Sequence, residues 1–141
     1  MRALALALAM LVAAPAVAGA ETWRGKTEQG RAVAVRTGDD DRVERVRVSW
    51  KAKCQKGTYM SRTVFRRPFD VSRASEFEDR GTYAVDVPGG YRARHRVFVR
   101  GTLGGDGDWT GTFRVRTRVT RGGRFVDSCR LRGLRWSAEP V

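Results

Sequence analysis

The chain has 141 residues, a formal net charge of +13 at pH 7 and 41% hydrophobic residues, which is length and apolar material enough for one domain with a real core. With one histidine and two cysteines, a zinc centre lacks ligands, and the sequence contains no phosphate loop or dinucleotide fingerprint. Of its 28 basic residues only Lys26, Lys51, Lys53 and Lys56 are lysine.

Residues 1–20 read as a secretory signal peptide. Met1 and Arg2 give a positive start, Ala3 to Val12 an apolar run, and Ala18-Gly19-Ala20 a small-residue cleavage pattern before Glu21. The apolar run is too short for a membrane-spanning helix, and no later stretch approaches that length. Residues 21–141 are then expected to form a single β domain, released to a secreted or periplasmic, extracytoplasmic location and monomeric.

Beyond the leader the pattern is alternation with period two, interrupted by Gly, Pro and Asp clusters, which predicts strands and hairpins. In chain order the expected strands are 22–27, 31–37, 42–54, 58–66, 81–87, 91–103, 109–121 and 125–138. Residues 69–80 are the least regular, and a loop with a short helix is expected there. The predicted fold is all-β: one antiparallel sandwich or flattened up-and-down barrel of about eight strands.

Parity sorts each strand into two faces. Val46, Val48, Trp50, Ala52 and Cys54 share one face of their strand, against Arg45, Arg47, Lys51 and Lys53. Phe113, Val115, Thr117 and Val119 oppose Arg114, Arg116 and Arg118. In the last strand Phe125, Cys129 and Leu131 oppose Arg130 and Arg132, and a bulge at Gly133 would let Leu134, Trp136 and Ala138 point inward as well. In the stretch YRARHRVFVRG, Tyr91, Ala93, His95, Val97 and Val99 look one way. Arg92, Arg94, Arg96 and Arg100 look the other way, beside Phe98.

An even pair of cysteines in an exported chain reads as a disulfide, here Cys54 with Cys129. Both fall on the apolar faces of their strands.

Catalytic material is thin. His95 has the parity of a core residue; a hydrolase would need it beside an acid brought near by the fold, and no nucleophile signature accompanies it. Asp106-Gly107-Asp108 and Asp39-Asp40-Asp41 fit hairpin turns better than calcium loops. No cofactor or metal is expected. Trp50 and Trp136 could line the mouth of a ligand-holding barrel, or simply pack a core.

The chain resembles a loose group of small exported disulfide-containing β-domain proteins of GC-rich bacteria, mostly without assigned function. The matching features are Gly25, Thr27 and Gly30 near the start, Cys54 in the middle, Trp109, Gly111 and Phe113 later, and the closing Cys129, Trp136 and Ala138. The resemblance implies a compact β fold with one disulfide and carries no catalytic residue.

The arginine rows therefore lead. If neighbouring strands bring them together, Arg92, Arg94, Arg96, Arg114, Arg116 and Arg118 form an anion-binding face for nucleic acid, wall-polymer phosphates, acidic polysaccharide or lipid headgroups. The competing expectations are a small-ligand-binding β-barrel and a structural secreted domain whose arginines reflect GC-rich codons.

Overall fold

The computed structural model describes residues 19–141; the leader expected over 1–20 lies, but for its last two residues, outside them. The described chain has nine strands: β1 (Thr22–Thr27), β2 (Ala32–Thr37), β3 (Val43–Cys54), β4 (Thr58–Arg66), β5 (Val71–Arg73), β6 (Glu76–Val87), β7 (Tyr91–Leu103), β8 (Trp109–Arg121) and β9 (Arg124–Pro140). They form one antiparallel sheet in the order β4-β3-β2-β1-β9-β8-β7-β6-β5. The all-β expectation holds, with one strand more than foreseen.

The additional strand comes from residues 69–80, where the sequence pattern suggests a loop or short helix. β5 and the first half of β6 instead form a hairpin about Ala74 and Ser75. The signal is faint because Phe77 is the one fully buried apolar side chain of that half-strand, while inward positions further on hold Asp79 and Gly81. Pairing with β7 along the whole of β6 supplies the order that local pattern lacks.

The sheet is rolled so that one face encloses a single core cluster drawn from all its long strands, as in a flattened barrel. β9 turns the roll. At Gly133 it bulges: Phe113 of β8 lies opposite Leu134 but Val115 opposite Leu131, so β9 carries one residue more than β8 across this step. Gly133 has φ +51°, a left-handed conformation that glycine adopts without steric cost. Leu131 is thus half-buried and Leu134 buried on the same side, as parity required. Beyond the bulge β9 pairs with β1; before it, Arg130 and Cys129 meet Lys53 and Cys54 at the end of β3. The Cys54–Cys129 disulfide joins these directly opposed residues across a sequence separation of 75.

β4 and β5 are the two edges of the sheet. Tyr83 on β6 and Thr63 on β4 span the gap between the edges with a hydroxyl–hydroxyl hydrogen bond of 2.7 Å, and the Trp50 indole N–H donates to the same Thr63 oxygen at 3.0 Å. Trp23, Trp50, Trp109 and Trp136 are all buried. No helix of the described residues is long and apolar enough to cross a membrane.

Candidate anion-binding face

β7, β8 and β9 are consecutive neighbours, and their register decides how the outward arginines meet. Arg94 lies opposite Arg118, and Arg96 opposite Arg116. Arg116 in turn lies opposite Arg130 of β9, and Arg130 opposite Lys53 of β3. One row, Arg96–Arg116–Arg130–Lys53, therefore crosses four strands, every member exposed. Directly opposed like charges destabilise a strand pair by a few tenths to about 1 kcal/mol, so the row carries a cost in the absence of an anion.

Acids relieve only the ends of the β7 row. Along the chain no Asp or Glu lies between Val87 and Asp106, but β6 runs beside β7 and contributes carboxylates laterally. Arg92 Nη1 lies 2.9 Å from Asp86 Oδ1, and Arg100 Nη2 3.6 Å from Glu76 Oε1. Both are surface pairs of small net strength. Among the described residues Arg94, Arg96, Arg114, Arg116, Arg118 and Arg130 form no salt bridge. Arg92, one of the expected anion-binding residues, thus belongs to the rim, while the other five stand in the centre.

Aromatic rings are interleaved with these cations. The Arg114 guanidinium lies 4.4 Å from the centroid of the half-exposed Phe98 ring, and Arg118 5.0 Å from that of Phe125. Phe125 departs from its expected inward position. Val119 opposes Asp127 but Thr120 opposes Phe125, so an additional residue at Val126 reverses the parity at the start of β9 and leaves Phe125 47% exposed. A depression of about 440 Å³ runs between Phe98, Arg96, Arg114, Arg116, Arg130 and Arg132.

Arg130 and Lys53 were readable as outward-facing but not as members of this face. The cysteines held the clue. A disulfide between directly opposed residues of antiparallel strands places the preceding Lys53 against the following Arg130.

His95 is fully buried, its Nδ1 2.7 Å from Thr117 Oγ1, between the rings of Trp50, Tyr59 and Tyr83. Burial lowers its pKa to about 4. Its chain neighbours Arg94 and Arg96 lie on the opposite, exposed face of β7, so burial and not their charge sets the direction of the shift. No carboxylate is hydrogen-bonded to the imidazole.

In the turn before β8, Asp106 Oδ1 accepts from the Asp108 N–H at 3.0 Å, closing the loop on itself. Among the described residues no three His, Cys, Asp or Glu side chains gather as a metal site. Trp50 packs against Phe113, and Trp136 stacks on Phe77, so both serve the core.

These features define an all-β domain with one disulfide and a basic outer sheet face. Comparison with protein-family models, with curated proteins and with solved structures finds no match to this chain.

Proposed function

We propose that this protein is an exported, non-catalytic module that binds an extended polyanion across the outer face of β7, β8 and β9. The observation that carries the reading is the in-register row Arg96–Arg116–Arg130–Lys53, which no acid of the described residues neutralises. Such a row has an electrostatic cost in the free protein that a bound anion removes. Guanidinium groups at strand spacing offer forked donors to successive phosphate, sulfate or carboxylate groups. The disulfide suits the oxidising compartment that export implies.

Retention on immobilised heparin and on DNA, measured against salt, tests the reading. Counterion release predicts a steep negative log–log slope. Each of Arg96→Gln, Arg116→Gln and Arg130→Gln leaves one anionic group without its cation, and should reduce that slope by about 0.7–0.9. A slope near zero, or a triple variant retained like the wild type on both supports, sinks the proposal.

A further inference from the structure

The outer face of β7–β9 does not end with the arginines. Along the strands the rows change character, from Arg94 and Arg118 through Arg96, Arg116 and Arg130 to a second row of another chemistry. There Thr102 lies opposite Thr110, Thr110 opposite Ser137, and Ser137 opposite Lys26 of β1. Between the two lies the row Arg100–Thr112–Arg135. At about 3.4 Å per residue in an antiparallel strand, Arg94 to Thr102 spans roughly 27 Å.

These last two rows line a groove of about 710 Å³, within the size range of small-molecule sites, roughly 300–1,000 Å³. Its floor is the directly opposed pair Gly101 and Gly111. A Cβ on Gly111 would meet the Arg100 carbonyl oxygen and the Trp136 ring, so the two backbones approach closely and the sheet dips onto Trp136.

The groove differs from the arginine rows in charge balance. Arg135 Nη2 lies 3.4 Å from Glu28 Oε2, and Arg100 is engaged by Glu76. Glu28 also accepts the Arg135 backbone N–H at 2.9 Å. Lys26 makes no salt bridge among the described residues. The groove thus presents hydroxyls, guanidinium donors and carboxylate acceptors in near balance, with one uncompensated cation at its edge. Hydroxyl-rich rings, which both donate and accept, match that set. Flat bases do not match this groove, because base stacking relies on exposed aromatic rings and its one ring, Trp136, is only 3% exposed. The half-exposed Phe98 ring and the exposed Phe125 ring stand apart from it, among the arginine rows.

We infer that the polyanion is an acidic polysaccharide, its anionic groups held on the arginine rows and one of its sugar rings seated in the groove between Lys26, Thr102, Thr110, Thr112 and Ser137. The inference rests on the proposed function and names its ligand class.

The test titrates the full-length folded domain with a heparin octasaccharide and, separately, with single-stranded DNA of equal charge at one salt concentration. The double variant Thr110→Val, Ser137→Ala changes exposed side chains only, and near-UV circular dichroism checks its fold. Removal of two hydroxyl partners should weaken the octasaccharide roughly tenfold and leave DNA within about twofold. Unchanged octasaccharide affinity, or equal weakening of both probes, overturns the sugar-ring assignment while the arginine face stands. Wild-type protein that binds neither probe overturns the arginine face itself. Octasaccharide binding abolished in Arg96→Gln, Arg116→Gln but unchanged in the groove variant also refutes the groove.

Discussion

Arg96 and Arg116 face each other directly across β7 and β8, on the outer side of the sheet and without an acid between them. Like charges at directly opposed cross-strand positions repel, so the fold tolerates this pair rather than gaining from it. Arg96→Gln should therefore raise the urea midpoint at low salt, by a few tenths of a kcal/mol in stability. The gain should shrink at high salt, where exposed charges are screened. A loss of stability at low salt would show instead that the pair is compensated.

His95 links stability to pH with a definite sign. Its folded pKa of about 4 lies below the ordinary histidine value of 6.5, so the unfolded chain binds the proton first as pH falls. The stabilisation is fully present above about pH 6.5 and is lost progressively toward pH 4, amounting to roughly 3 kcal/mol. His95→Leu should flatten that part of the profile. Denaturation midpoints of the two proteins between pH 4 and 7 measure the difference, and parallel profiles would contradict it.

The Cys54–Cys129 bond closes a loop across a sequence separation of 75. Chain-entropy reasoning gives about 4–5 kcal/mol for constraining the unfolded state over that length, an upper-end figure. Reduction, or Cys54→Ser with Cys129→Ser, should lower the melting temperature sharply and loosen the end of β3 from β9. Thermal melts with and without reductant, together with amide exchange at Lys53 and Arg130, report both effects.

Gly111 and Gly105 separate packing from propensity. A side chain at Gly111 meets backbone and the Trp136 ring, whereas one at Gly105 meets nothing within 4 Å. Gly111→Ala should cost about 1–3 kcal/mol through overpacking, and Gly105→Ala less than about 0.5 kcal/mol. Equal urea midpoints for the two variants would show that the sheet relaxes at the close approach.

Much of the fold was legible because strand parity is a local rule. Val46, Val48 and Trp50 turned inward where period two placed them, and Gly133 announced its own bulge. Phe125 was misplaced because the second bulge, at Val126, has no glycine to mark it. The β5–β6 hairpin was hidden for a related reason: Asp79 and Gly81 occupy inward positions, so alternation there carries no hydrophobic contrast.

By itself the sequence determined which side of β3, β7, β8 and the later part of β9 bears arginine, since alternation follows from backbone geometry alone. Only the tertiary structure decided which arginines stand together and which are neutralised. The acids that pair Arg92 and Arg100 arrive from β6, and Lys53 joins Arg130 because the bend in β9 brings it to the end of β3. Strand register and sheet order join residues far apart in the chain, so a charge count along one strand cannot foresee the field across four.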